Sequence, residues 1–395
     1  MMIDKYKIIT SDFDFPSGMI DLGIGQPGES LLPLTMLEQA ARHCLRQDNP
    51  YLLAYGAEQG SEYFRIALAG LLSEKYQFRV DPGHLFTTTG SSQALDFICS
   101  LFTRAGDTIF VEEPTYSLAL GIFADHHLNV VGVPTDENGV ITDALEEALD
   151  RTLPVFFYTI PTFHNPSGST LSRSRRKEIV ALSRKYPFLI VADEVYQLLS
   201  YTGTPPSPMA GYCRETAVLS LGSFSKILAP GLRLGWIQAG PDIIRRLSAS
   251  GLVDSGGGLN PFTSAIVQSV IELGLQETQL ARLKKIYSRR KSILYTALTE
   301  HLPNTVSFTE PDGGFFIWLR LPSHVDTEKL LPQARRHNVG FSPGARFSPR
   351  QELKNHMRLS FAYYEDSDLV EAAKRLGEVI RWGLTSDECK ITSAK

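Results

Sequence analysis

The chain has 395 residues, 43% of them hydrophobic, and carries 39 Lys plus Arg against 43 Asp plus Glu, a net charge of −4. That length and apolar share suit a large buried core arranged as two or three domains, or as one large domain with a satellite. The near balance of charge, without a long block of one sign, argues against a nucleic-acid tail. No segment reaches the ~18–20 apolar residues of a membrane span, and the opening Met-Met-Ile-Asp-Lys-Tyr-Lys lacks a signal-peptide core, so a cytoplasmic protein is expected. Cys44, Cys99, Cys213 and Cys389 form no CxxC and have no histidines at ligand spacing, which predicts buried or idle thiols rather than a metal site or a disulfide framework.

From about residue 83 to 240 short β-rich runs alternate with helical or turn-rich segments: 84–89, 108–111, 129–133, 155–160, 188–192, 217–221 and 233–239. The alternation predicts an α/β fold around a mainly parallel sheet with helices on both faces. Such sheets bind ligands at the carboxyl ends of their strands, where several chemistry-bearing residues of this chain fall. The basic cluster Arg173, Arg175, Arg176 and Lys177 reads as the exposed first turns of an amphipathic helix. The Pro-rich stretch 204–208 reads as a surface loop. Beyond residue 261 helical periodicity takes over, then two strand candidates (315–321 and 357–361) and a closing helix near 368–382. The expected division is an N-terminal arm with part of a small domain (1–45), a large domain (46–285) and a small α/β domain (286–395).

The first of those strand ends carries Thr-Thr-Gly-Ser-Ser-Gln at 88–93 before an amphipathic helix. Unpaired amides at such a helix start favour a phosphate dianion, although an ordinary Ser cap would give the same pattern. Glu113-Pro-Thr-Tyr116 sets an aromatic ring after a strand, either as a stacking surface for a flat heterocycle or as core. Asn165, held between His164 and Pro166 in a turn, is fixed away from helical geometry and able to present its amide to a ligand. Asp193 leaves an apolar run and needs a cationic partner or a capping role, with Tyr196 three residues on. Gly-Ser-Phe-Ser-Lys at 222–226, with Arg233 seven residues further, offers a lysine for an aldehyde and Ser223, Ser225 and Arg233 as phosphate donors.

The ordered set GSSQAL, EEPTYS, HNPSG, ADEVY, SFSK with Arg233, PDGGFF and MRLSFA resembles the fold type I, class I/II pyridoxal-phosphate-dependent aminotransferases. Within them it is most similar to the kynurenine and α-aminoadipate aminotransferase branch, over residues 23 to about 382. The resemblance implies transfer of an amino group between an L-amino acid and a 2-oxo acid with pyridoxal 5′-phosphate as cofactor. It implies that Lys226 bonds the cofactor aldehyde and shuttles the proton, that Asp193 pairs with the ring nitrogen, that Tyr196 and Asn165 contact the ring oxygen, and that Tyr116 stacks on the ring. Ser91, Ser92 or Gln93 with Ser223, Ser225 and Arg233 would hold the phosphate, and Arg358 the substrate carboxylate. Gly25 lies in a segment similar to one that closes over the substrate. Tyr55 resembles a tyrosine that crosses a homodimer interface to the partner's phosphate, which makes the active sites shared.

Two departures stand out. His164 occupies a position where the family often has Gln or Asn, and Ser255-Gly-Gly-Gly-Leu-Asn260 reads as either a mobile substrate-side loop or a helix interruption. Two other readings remain beside transamination: a different carbanion reaction on the same cofactor, such as elimination, replacement or cyclisation, and an effector-sensing regulator. No basic helix-turn-helix pattern precedes Gly23, which weighs against the regulator.

Overall fold

The computed structural model describes residues 18–391. Two short strands, β1 (Ile20–Asp21) and a later partner, tie the start of the described chain to its last third. The main sheet follows with β2 (Leu85–Thr88), β3 (Thr108–Glu113), β4 (Asn129–Asp136), β5 (Gly139–Val140), β6 (Phe156–Thr159), β7 (Leu189–Asp193), β8 (Val218–Ser223) and β9 (Gly235–Ala239). A small sheet comprises β10 (Phe316–Arg320), β12 (Ser342–Pro343) and β13 (His356–Ser360), and β11 (Val339–Gly340) is the partner of β1.

The eight strands lie in the order β2-β9-β8-β7-β6-β3-β4-β5. β8, β7, β6, β3 and β4 are mutually parallel, whereas β9 runs antiparallel to both β8 and β2. Two reversals restore direction, so β2 points the same way as β8. The carboxyl ends of β2, β3, β6, β7 and β8 therefore share one edge. The strands are buried almost throughout, as two covered faces require. This is the α/β fold with a mixed, mostly parallel large sheet and a small domain.

Each expected strand forms, with shifted ends. β3 runs on to Glu113, adding two acidic residues at its tip. The last run begins at Gly235 rather than 233, because Arg233 closes a 3-10 turn with φ +46°. Four helices lie between β9 and β10, the last and longest of them Leu275–His301. All four cysteines are buried and unpaired. No helix among the described residues is long and apolar enough to cross a membrane.

The triple glycine is a helix interruption built for close approach. The helix Gly251–Gly256 stops at Gly257, with φ +73°, and the Gly258 amide donates to the Gly56 carbonyl. A Cβ on Gly258 would sit 2.0 Å from the Ala57 carbonyl oxygen, so no side chain fits there. These glycines seat the 55–58 segment, and none of them lines the central cavity.

The basic cluster departs from expectation at two residues: Arg175 is half-buried against Asp136, and Arg176 is enclosed. Ser172 caps the helix Arg173–Lys185, and Arg173 and Lys177 are exposed, but Arg176 is only 1% exposed. Its guanidinium donates to the carbonyls of Leu171, Pro161 and Ser207 and to Thr162 Oγ1, and lies 3.8 Å from Glu194. Four loop carbonyl and hydroxyl groups, unpaired by any strand, draw this one arginine inward, and Glu194 offsets its charge. Arg176→Ala should lower unfolding free energy by about 3–5 kcal/mol in equilibrium urea denaturation, against less than ~0.5 kcal/mol for the exposed Lys177→Ala. Equal effects of the two variants would contradict this account.

Candidate active site

The shared strand edge opens into a cavity of about 780 Å³. Its lining includes Gly25, Ser91, Ser92, Tyr116, Asn165, Asp193, Tyr196, Ser225, Lys226, Arg233 and Arg358, residues brought together from seven separate segments. Burial of charge governs their chemistry.

Asp193 ends β7 and is 6% exposed. The Tyr158 hydroxyl, on the neighbouring strand, donates to Oδ2 at 2.9 Å, while Oδ1 is buried without a well-formed hydrogen bond. Burial raises the carboxyl to about 6; the Tyr158 bond and the Lys226 charge oppose the rise. Lys226 follows β8 and donates from Nζ to the Gly25 carbonyl at 3.0 Å. Burial, together with the charge of Arg358, lowers its ammonium to about 8. The cavity thus holds an acid and an amine, both displaced toward neutrality, as a proton-transfer site needs.

One wall of the cavity is an anion cradle. The helix Ser91–Phe102 starts at Gly90 with no side-chain cap, leaving its first amides free. Gly90, at φ +100°, admits the Arg233 guanidinium: a Cβ there would lie 2.8 Å from Nη2. Arg233 Nη1 reaches Ser225 Oγ at 3.4 Å, and Asn260 Nδ2 anchors the Arg233 carbonyl. Ser223 stands behind this wall, buried and donating to Ser225 Oγ at 3.0 Å. Gln93 also stays outside the lining, since its Oε1 turns back to accept from the Thr89 amide at 3.2 Å. Those two expected phosphate ligands shape the wall rather than face the cavity.

Arg358, on β13, enters from the small sheet. Nη1 donates to Asn165 Oδ1 at 2.9 Å, and Nη2 donates to the Gly23 carbonyl at 2.6 Å and to Ser342 Oγ at 3.3 Å. Its guanidinium carbon lies 4.2 Å from the Phe316 ring centre and 5.0 Å from that of Phe347. Burial lowers its pKa to about 10, so it stays charged at neutral pH. Tyr196 is buried edge-on against Phe315 and Phe316. Tyr116 is half-buried, and burial near Asp193 pushes its phenol up to about 12, which keeps it a neutral ring. Tyr55, by contrast, is 87% exposed and does not line the cavity of its own chain.

Sequence reasoning missed Tyr158, Ser342 and the Phe316–Phe347 sandwich. Tyr158 lay in a run that read simply as buried strand. The others come from segments whose proximity to Arg358 has no local signature.

The residues suit pyridoxal phosphate. A bare buried carboxylate oxygen accepts a ring N–H, the uncapped helix with Arg233 accepts a dianion, and Lys226 supplies a near-neutral amine. Residues 17–376 match the family model described as aminotransferase class I and II. The chain belongs to the class I and II aminotransferases. It moves amino groups between amino acids and 2-oxo acids, with pyridoxal phosphate as cofactor. It is 37% identical to aromatic-amino-acid aminotransferase 1 of Thermococcus litoralis, over 92% of this chain and 88% of that one. The solved kynurenine aminotransferase of Pyrococcus horikoshii superposes with a TM-score of 0.88 at 33% identity, covering 94% of this chain and 92% of its own. The α-aminoadipate aminotransferase LysN of Thermus thermophilus gives 0.84 at 30% identity, with 93% of each chain covered.

Because burial and Arg358 favour the neutral amine, Lys226 should lose its proton well below ordinary lysines. Acetic anhydride labelling of the cofactor-free protein, read by peptide mass, should reach half its maximal rate at Lys226 near pH 8. Exposed lysines should still be rising at about pH 10. A Lys226 midpoint above pH 10 would overturn the assignment of its environment.

Proposed function

We propose that this aminotransferase takes an aromatic L-amino acid as donor and passes its amino group to a 2-oxo acid, in a cytoplasmic homodimer with shared active sites. The observation that carries the reading is the meeting, in one cavity, of the bare Asp193 oxygen, the Lys226 amine and the Arg358 fork. The cavity lining includes Ile24, Leu118, Leu331, Phe341 and Phe347, apolar side chains that support a flat hydrophobic substituent, beside the charged Arg335 and Arg346. The Thermococcus litoralis relative named for aromatic amino acids points the same way.

When bound, the cofactor supplies an electron sink that makes the substrate Cα–H acidic. Lys226 takes that proton on Nζ and returns it one position away; an amine near pKa 8 does both at neutral pH. Asp193 would pair with the ring N–H through Oδ1, while Tyr158 keeps Oδ2 occupied. Tyr196 and Asn165 would contact the ring oxygen, and Tyr116 would stack on the ring. Ser91, Ser92, Ser225 and Arg233 would hold the phosphate, with Gln93 and Ser223 bracing them. Arg358 grips the carboxylate common to all amino acids, and Gly25 leaves room beside it: a Cβ there would lie 3.2 Å from the Phe316 ring.

Tyr55 supports the dimer. It sits with Leu34, Tyr51, Leu53 and Tyr63 among the large apolar side chains that are 74% or more exposed, a surface that a second copy would cover. The unpaired buried thiols support a reducing compartment.

Lys226→Ala should abolish turnover, and borohydride reduction of the wild-type holoenzyme should mark the Lys226 peptide; label on another lysine would defeat the assignment. In a donor panel with 2-oxoglutarate, read as glutamate formed, phenylalanine or tyrosine should exceed leucine and 2-aminoadipate by about tenfold or more in kcat/KM. A preference for 2-aminoadipate would reverse the donor proposal. Leu53→Asp should yield monomers in light scattering with at least about tenfold lower activity, whereas a fully active monomer would refute shared sites.

A further inference from the structure

The strongest feature outside the assigned roles is a buried acid–imidazole pair beneath the substrate clamp. His164 and Glu112 are 3% and 1% exposed, and His164 Nε2 lies 3.2 Å from Glu112 Oε2, an ion-pair distance without a well-formed hydrogen bond. Glu112 is itself fixed, because Oε2 accepts from the Ile160 amide at 2.7 Å. On the other side of the ring, Nδ1 faces the Ser167 amide at 3.3 Å and the Ser167 hydroxyl at 3.0 Å. A backbone N–H only donates, so Nδ1 must be the lone-pair nitrogen and the ring proton belongs on Nε2, toward the carboxylate.

The imidazole therefore spans the turn from strand tip to far end. Backbone bonds reinforce it: the His164 amide donates to the Ser169 carbonyl at 2.8 Å, and the Gly168 amide to the His164 carbonyl at 2.7 Å. Asn165 lies inside this braced turn, and its Oδ1 is the hydrogen-bond acceptor for Arg358 Nη1, whereas Nη2 has both Gly23 and Ser342. One half of the guanidinium fork thus depends on where Asn165 is held. Grip on a carboxylate by both nitrogens requires that half to be aimed.

We propose that His164, clasped between Glu112 and Ser167, is a positioning residue that sets the substrate-carboxylate clamp through Asn165. It acts on binding of either substrate, since donor and acceptor share the α-carboxylate, and leaves the proton transfer at Lys226 alone. The required side chain must donate toward Glu112 and accept from Ser167 at once. Glutamine carries a donor and an acceptor on one amide at suitable length. Asparagine is too short to span both partners, and leucine has neither group.

This inference rests on Arg358 being the carboxylate clamp, so Arg358→Lys is measured alongside. His164→Leu and His164→Asn should each raise the KM of L-phenylalanine and of 2-oxoglutarate about tenfold, with kcat within about threefold of wild type. His164→Gln should restore both KM values to within about twofold. Calorimetric binding of 3-phenylpropanoate to the holoenzyme should weaken about tenfold in the Leu and Asn variants and recover with Gln. Should His164→Leu fail to fold, the Asn and Gln pair carries the comparison. Unchanged KM in the Leu or Asn variant, or a Gln variant as impaired as Leu, overturns the inference while a raised KM in Arg358→Lys leaves the clamp standing. An unchanged KM in Arg358→Lys removes the clamp, and with it this role for His164.

Discussion

A carboxylate carried into a protein interior with one oxygen unsatisfied is costly, and Asp193 is such a group. Much of the surrounding architecture bears on it. Tyr158 on the adjacent strand occupies one oxygen, Lys226 just past the end of the strand beyond supplies an opposing charge, and the parallel register of β6, β7 and β8 holds all three at one edge. A cationic ring nitrogen would meet the remaining deficit. In this sense cofactor recognition is a consequence of burial as much as of any contact made with the cofactor itself.

The same handling of charge explains the rest of the site. Burial displaces Asp193 upward and Lys226 and Arg358 downward, so each is closer to neutrality than it would be in water. Lys226 is brought into the range where it can both take and give a proton. Arg358 starts high enough to remain a cation despite the same displacement, which separates a group that binds from a group that reacts. Aromatic rings on both sides of Arg358 hold its plane without competing for its hydrogen-bond donors.

The site is also a junction. β1 pairs with β11 and lays Gly23 and Gly25 across the cavity, where the Gly23 carbonyl meets Arg358 and the Gly25 carbonyl meets Lys226. A second tie runs from Glu113, at the tip of β3, to Ser348 and Arg350 beyond the small sheet's strand β12. Arg358 and Lys226 come from different sheets, which share one hydrophobic core and are tied further by these polar contacts.

Much of this was legible along the chain. Alternating apolar runs fixed the parallel sheet because a strand buried on both faces must be apolar throughout. Lys226 and Asp193 were readable because each follows such a run, where charge is conspicuous, and Arg233 because it stands just ahead of one. Long-range geometry decided the remainder. Arg176 looked like its exposed neighbours until loop carbonyls from residues 161, 171 and 207 converged on it. Gln93 and Ser223 shared a motif with true cavity residues, yet which way each side chain points is settled by partners four and two residues away. The glycines at 256–258 gave two readings in sequence, and only the approach of the 55–58 backbone selected one. Sequence determines where polar groups interrupt apolar periodicity; which of those groups face one another depends on how distant segments close the fold, and that is a property of packing alone.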